Sequence, residues 1–392
     1  MRVLCFADTR FPIERANGVQ TFQTCHALAR RGHDVTLAVR TDTAKPPRDP
    51  FNFYGLAAEP RLHVRTLPAP GPPKARRVAY LAGALRLATS APTATVVFTR
   101  DLGLAAWLLQ WPKSRRPRVV YESHGISAAV AREMPVLLGK PELLPSASKL
   151  RRLERREERV WKHASAYVGI THALVGDLRS LFGEREHVFV APDGASPAGL
   201  LPGPAADRFI AGYAGHLYPW KGVDVFVRSL AHAPGVHGLI VGGHPGEADL
   251  ERVMRLAGEL GLRDRLTITG LVAPTEVRRA VAPATVLVLP NPASTISERY
   301  TSPLKLFEYL TMGRAIVASD LTSVREVVED GRTALLVPPG DERALGAALG
   351  RLRDNPAMAT SLGQAALALA AAYSWDARAS RIEAALEAAL AS

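Results

Sequence analysis

Three stretches of this sequence set basic or imidazole side chains beside glycines and helix starts, in spacings that suit the handling of a phosphate. The sharpest is Ser302-Pro-Leu-Lys-Leu-Phe-Glu-Tyr-Leu-Thr-Met-Gly313. Ser302 reads as an N-cap, Pro303 as the first helical residue and Gly313 as the C-terminal stop, which predicts a helix over 303–312. The free N–H groups that follow Pro303, from Leu304 on, and the partial positive charge of a helix start, worth ~0.3–1 kcal/mol per favourable charge, suit a diphosphate. Lys305 in the first turn opposes that dipole, and a nearby anion would offset the cost. Glu308 lies among Leu304, Leu306, Phe307 and Leu310, at the edge of an apolar face. Its carboxylate needs hydroxyl or N–H partners, as a ribose 2′,3′-diol offers, or pairs with Lys305 three residues earlier.

The second stretch is Ala214-Gly-His-Leu-Tyr-Pro-Trp-Lys-Gly-Val-Asp224. Gly215 and Gly222 allow close backbone approach, and Lys221, just before a predicted helix, either reaches a phosphate or is a solvated turn lysine. The third is Tyr121-Glu-Ser-His-Gly125, which ends a predicted strand. His124 there either faces a ligand or serves the fold. Gly242-Gly243 and Gly270-Leu271-Val272 follow two further strands and lie on the edge where such folds bind ligands. Cys5 and Cys25 read as two reduced core thiols, and no Cys/His spacing or Asp-x-Asp clamp predicts a metal.

These residues must be held by strands and helices, and the apolar pattern supplies them. Arg2–Ala7, a loop over 8–18, a helix over 19–31 and a strand over 34–39 form a β-α-β unit, which implies a parallel sheet. Strands at 95–99, 118–121, 166–170 and 188–190 and helices at 104–109 and 148–163 continue it. Pro192–Pro204 is dense in Pro and Gly and reads as a linker. Beyond it the alternation restarts: strands at 209–214, 238–241, 266–269, 286–289, 315–318 and 334–337, and helices at 222–232, 247–260, 274–281, 303–312, 323–330 and 341–352. The tail 357–392 is Ala-rich and mostly helical. The expected fold is α/β, two Rossmann-like doubly wound parallel-sheet domains facing across a cleft, divided as 1–198 and 199–374.

The composition agrees. The 392 residues, 47% apolar and 22% charged, are those of a globular chain of two or three domains. The longest apolar stretch, Leu102–Trp111, is about ten residues, half a membrane span. The formal charge is +12 and is uneven: residues 1–200 hold 30 Lys and Arg against 17 Asp and Glu, and 201–392 hold 19 against 20. The first half therefore invites an anionic partner.

Taken in order, the motifs resemble the retaining family-4 glycosyltransferases of GT-B fold. The likeness runs through Asn17-Gly-Val19, Tyr121–Gly125, Pro192-Asp-Gly194, Gly215 to Gly222, Gly242-Gly243, Thr269-Gly270, Ser302–Asp320, Glu329-Asp-Gly331 and Tyr373-Ser-Trp-Asp376. It implies that Gly18 and Val19 approach the donor phosphates, that His124 contacts the transferring sugar and that Lys221 binds the diphosphate. Gly215 and Gly243 would line the phosphate site, the backbone at Leu271 and Val272 would recognise the base, Ser302–Lys305 would cap the phosphates and Glu308 would hold the ribose. The C-terminal helix, about 375–392, would pack back on the first domain. Two departures stand out. The family's first glutamate position holds Tyr300, with Glu298 two residues before it as a substitute, and the basic residue of the phosphate loop is His216.

The function this implies is a hexosyltransferase: retaining, metal-independent transfer from a nucleotide-diphosphate sugar, UDP-linked before GDP-linked, to a hydroxyl acceptor, with no cofactor. A non-catalytic sugar-nucleotide binder is an alternative. A nucleic-acid binder is a weaker one, because the basic clusters 74–77, 113–118 and 151–159 lack interleaved aromatics. A dehydrogenase is disfavoured by the absence of Gly-x-Gly-x-x-Gly after the first strand. The expected location is cytoplasmic, and residues 74–87, which mix Lys74, Arg76, Arg77 and Arg86 with Val78, Tyr80, Leu81, Leu85 and Leu87, would add a peripheral contact at the inner face of an anionic membrane.

Overall fold

A computed structural model describes residues 1–41, 48–92, 94–112, 116–196, 208–244 and 246–391. The chain divides into two compact units. Unit 1 comprises Met1–Arg132, Leu144–Asp193 and Trp375–Ser392; unit 2 comprises Glu133–Leu143 and Gly194–Ser374. The sequence boundary at 198/199, most of the 192–204 linker and residues 113–115 of one basic cluster lie outside the described residues.

Unit 1 is built on seven strands: β1 (Arg2–Phe11), β2 (Asp34–Thr41), β3 (Leu62–Leu67), β4 (Thr95–Thr99), β5 (Arg118–Ser123), β6 (Ala166–Gly169) and β7 (Val188–Val190). They pair in the order β3-β2-β1-β4-β5-β6-β7. Every pair is parallel, with Val3 opposite both Val35 and Val96. Unit 2 repeats the scheme with β8 (Phe209–Ala214), β9 (Val236–Val241), β10 (Leu266–Ile268), β11 (Val286–Leu289), β12 (Ala315–Ser319) and β13 (Leu335–Val337), in the order β10-β9-β8-β11-β12-β13. In each sheet the order reverses beside the first strand, between β1 and β4 and between β8 and β11. Such a switch point opens a crevice at the carboxyl ends of the strands. Both sheets are covered on both faces, so the central strands are continuous apolar runs: β4 is buried throughout, as are β11 and β12.

The structure corrects several sequence boundaries. β1 runs on to Phe11, so residues 8–11 are strand rather than loop, and the first helix starts at Ala16 rather than 19. The helix expected at 323–330 is a single turn, Thr322–Arg325. The edge strand β3 was not predicted: Leu-His-Val-Arg-Thr-Leu buries only its terminal leucines. Helices Pro50–Tyr54, Ser127–Leu137, His172–Phe182 and Thr295–Arg299 were also unforeseen. Residues 73–89 do form a helix, but Tyr80, Ala84 and Ala88 are buried, leaving Val78 as its exposed large apolar side chain. The tail forms helices Pro356–Ala370 and Trp375–Ala391, and the second belongs to unit 1. No helix of the described residues is long and apolar enough to cross a membrane.

Candidate active site

Unit 2 gathers Gly215, His216, Lys221, Gly243 and Lys305 at the carboxyl ends of its central strands. The loop after β8 turns sharply at Gly215, whose N–H donates to Val241 O at 2.8 Å. It ends in a short 3-10 turn, Pro219–Lys221, closed by Gly222 at φ +74°. A Cβ on Gly222 would stand 1.7 Å from Pro290 O, so only glycine lets this loop lie against the end of β11.

Helix Leu304–Leu310 begins one residue later than the sequence suggested. Its cap is Pro303, in extended conformation with no side-chain cap bond, so Ser302 precedes the cap instead of forming it. The helix is fixed to β8 by the Ala214 N–H, which donates to the Tyr309 hydroxyl at 2.9 Å. This places Lys305 over the phosphate-loop candidate. Its Nζ lies 3.8 Å from the Tyr213 ring centroid, a cation–π contact, and 3.1 Å from where a side chain on Gly215 would begin. The ammonium is buried and has no hydrogen-bond partner among the described residues. Burial, then the neighbouring Lys221, hold Lys305 well below the ordinary lysine range, and burial lowers Lys221 as well. The hydrogen-bonded pairing of Glu308 with Lys305 is not made, and Glu308 stands exposed on the helix surface.

His216 lies in an aromatic stack. It stacks on Tyr218 with ring centroids 5.0 Å apart and planes 13° apart, Tyr218 stacks on Trp220 at 4.6 Å, and His244 lies beyond His216 at 6.3 Å. Of the base-recognition candidates, Leu271 is exposed and Val272 packs against the unit 2 core. The loop they share is tied to the phosphate loop's neighbour by a bridge between Gly242 and Gly270.

Glu298 is engaged elsewhere. It lies on helix Thr295–Arg299, and its Oε2 accepts from Thr322 N at 3.1 Å and Thr322 Oγ1 at 3.4 Å, capping the turn Thr322–Arg325. Tyr300, at the missing-glutamate position, is buried. Sequence reasoning passed over Asn291, which follows β11 by two residues. It is buried, its Oδ1 has no hydrogen-bond partner among the described residues, and its backbone N is 3.3 Å from where a side chain on Gly222 would begin.

Unit 1 holds the remaining candidates. Gly18 is in the first turn of helix Ala16–Arg30, but its N–H and that of Val19 both donate to Arg15 O, at 2.9 and 3.3 Å. The glycine is needed for packing, since a Cβ would stand 2.5 Å from Ile13 Cγ2 and 2.7 Å from the Tyr54 hydroxyl. His124 follows β5, and its Nε2 bonds Glu122 Oε1. Burial and Arg100 push the imidazole down to about 4, against the pull of Glu122. Between the ends of β1, β4 and β5 lies a cavity of about 360 Å³ that sets Asp8, Gln20, Arg77 and Glu122 beside the apolar Phe6 and Phe98. Among the described residues no three His, Cys, Asp or Glu side chains form a group that could hold a metal.

Residues 17–194 match the family model of the glycosyl transferase 4-like domain, and residues 208–355 match glycosyl transferases group 1. The chain is 31% identical over 170 residues to alpha-D-kanosaminyltransferase of Streptomyces kanamyceticus, covering 42% of each chain. It is 26% identical over 380 residues to D-inositol 3-phosphate glycosyltransferase of Mycolicibacterium gilvum, covering 91% of this chain and 81% of that one. Over most of the first such matches the chain spans about half the length of the curated relatives. In fold it is similar to sucrose-phosphate synthase of Thermosynechococcus elongatus, with TM-score 0.76, 20% identity and 97% of both chains covered. It is likewise similar to the Anabaena protein HepE in complex with UDP-glucose, with TM-score 0.73, 18% identity and 98% of both covered.

Proposed function

Because the chain belongs to the group 1 glycosyltransferases of GT-B fold, we propose that it transfers a hexose from a nucleotide-diphosphate sugar to a hydroxyl of a small polyhydroxylated acceptor. One observation carries the reading. The Lys305 ammonium is buried over Gly215 beside a second lysine, with no hydrogen-bond partner among the described residues. A buried ammonium whose pKa is lowered by burial and by a neighbouring lysine is relieved by an anion, and a diphosphate supplies it. The neighbour holding UDP-glucose supports a UDP-sugar before a GDP-sugar, and the relative named for D-inositol 3-phosphate supports a small polyhydroxylated acceptor.

In this reading Lys221 and Lys305 neutralise the charge that grows on the departing diphosphate, which is the largest electrostatic demand of the reaction. The C–O bond from the anomeric carbon to the phosphate breaks, the acceptor oxygen bonds that carbon from the same face, and the acceptor's proton passes to the leaving phosphate. The product is the retained glycoside plus the nucleoside diphosphate, and no metal is called on. The exposed Glu308 carboxylate accepts from the ribose hydroxyls. The unit 1 cavity is of a size to hold one acceptor ring, with Asp8, Gln20, Arg77 and Glu122 among the groups that could bind its hydroxyls. A peripheral contact with anionic lipid would rest on Lys74, Arg76, Arg86 and Val78, since the other side of that helix packs inward. Co-sedimentation with anionic but not neutral vesicles tests it.

Calorimetric titration with UDP, GDP and ADP in the absence of metal tests the main reading. Binding of one nucleotide, weakened tenfold or more by Lys221→Ala and by Glu308→Ala, is the expected result. Equal binding by wild type and both variants would remove the assigned site.

A further inference from the structure

Helix Trp375–Ala391 turns Trp375, Ala379, Ile382 and Leu386 into the core, and Arg378 lies on the same stripe, fully buried. Each nitrogen of its guanidinium is used. Nε donates to Thr24 Oγ1 at 3.0 Å, Nη1 to Ala191 O and to Pro192 O at 3.0 Å, and Nη2 to Glu122 Oε2 at 2.5 Å. Asp193 Oδ1 stands 3.7 Å from Nη1. The other oxygen of Glu122 accepts from Gln20 Nε2 at 2.8 Å and bonds His124 Nε2. Gln20 in turn accepts from Arg100 Nη1 at 2.7 Å, which fixes the orientation of its amide.

An ionised carboxylate accepts and cannot donate. The proton on neutral His124 must therefore sit on Nε2, and Nδ1 is left with its lone pair. We infer that Arg378 is a positioning residue for His124: through Glu122 it fixes the ring's rotamer and tautomer, so that Nδ1 accepts a hydrogen bond from a hydroxyl of the bound substrate. The role of His124 at the substrate rests on the proposed function; the control of its tautomer by Arg378 does not.

The charges around the ring agree. Burial opposes ionisation of Glu122, but Arg378, then His124 and Arg100, overcome it and hold the carboxyl far below the usual range. Glu122, Arg100 and Arg378 all act on His124. Asp193, the second carboxylate on Arg378, is pushed up to about 6 by burial, against the pull of Arg378, with Glu122 adding to the rise. The guanidinium's planar fork reaches backbone, hydroxyl and carboxylate at once, which a lysine's point charge cannot do.

The test follows the ring nitrogens of His124 by NMR in histidine-labelled protein, the signal being assigned by its loss in His124→Asn. Wild type should show a single neutral tautomer with the proton on Nε2 from about pH 5 to 8. Arg378→Met should mix the tautomers and raise the ring's titration by about one pH unit, because one positive neighbour is gone. Arg378→Lys should keep the titration near wild type, and Glu122→Gln should release the tautomer even if Arg378→Met does not fold. Ile382→Ala, on the same helix, should lower stability and leave the tautomer alone. With UDP-glucose as donor probe, Arg378→Met should lower kcat more than it changes the donor KM. A ring unchanged in Arg378→Met and Glu122→Gln, or equally disturbed in Ile382→Ala, would overturn the inference. A normal ring response in a protein that transfers no sugar would count against the proposed function and leave this inference standing.

Discussion

The two units share a strand order and a crevice-forming switch point, yet they treat buried charge there in opposite ways. Unit 1 closes its charges on themselves: Arg378, Glu122, Arg100, His124 and Gln20 form a chain in which each member has a partner. Unit 2 gives the Lys305 ammonium no hydrogen-bond partner among the described residues and sets it on the face of Tyr213, with Glu308 acting on it from the helix surface. A satisfied network is rigid and specifies geometry, whereas an unsatisfied cation is held at a cost until something anionic arrives. One fold thus provides a fixed ring in one unit and a vacancy for charge in the other.

This contrast is sharpest in stability. Glu122→Ala removes the carboxylate bonded to the buried Arg378 and leaves only the more distant Asp193 to balance it, and should cost about 3–5 kcal/mol in urea unfolding. Lys305→Met removes a buried ammonium that has no hydrogen-bond partner among the described residues, while Glu308 stays solvent-exposed, and should be neutral or stabilising while weakening nucleotide binding. Equal losses from the two substitutions would break the comparison.

Acid should act next, and mainly on unit 1. His124 titrates near 4 in the fold against about 6.5 when unfolded, so the unfolded chain binds the extra proton between those values. Glu122, held low, acts in the same direction below the unfolded carboxylate range. Both contributions are present at neutral pH and lost as pH falls, His124 alone accounting for on the order of 3 kcal/mol between pH 6.5 and 4. Asp193, raised to about 6, opposes them: its contribution is full below the unfolded aspartate range and lost as pH rises through 6. Lys305, held low, makes stability rise with pH on the alkaline side, from its folded value up to that of the unfolded lysine. Unfolding midpoints across pH should show the acid slope shrink in His124→Asn and persist in Lys305→Met. The reverse pattern would misplace the charges.

The smallest effect concerns Glu298. If its work is to cap Thr322, Glu298→Gln should cost about 1 kcal/mol and leave sugar transfer intact. A transfer rate reduced a hundredfold would instead return it to the chemistry.

How legible all this was in the sequence depends on distance along the chain. The central strands could be read because parallel strands buried on both faces are unbroken apolar runs, as in Thr95–Thr99 and Val286–Leu289. The edge strand Leu62–Leu67 mixes polar residues among its leucines and could not. Lys221 and Lys305 stood out because each sits within a few residues of its glycine or helix start. The network of unit 1 joins Thr24, Glu122, Ala191 and Arg378, separated by up to 354 positions, and no local spacing announces it. One signal was available: an arginine at 378 in helical register with Trp375, Ala379 and Ile382, where only an apolar residue belongs unless a buried partner awaits it.

That last helix also sets an order of assembly. Unit 1 draws on three separate lengths of chain, and the third, Trp375–Ser392, is translated only after the whole of Gly194–Ser374. At about 5–20 residues per second, a ribosome spends on the order of ten seconds or more making unit 2 while Glu122 still lacks the arginine that will neutralise it. Unit 2 can therefore finish first although its main segment is made second, and the nascent first unit must wait, open at β5, for its final helix.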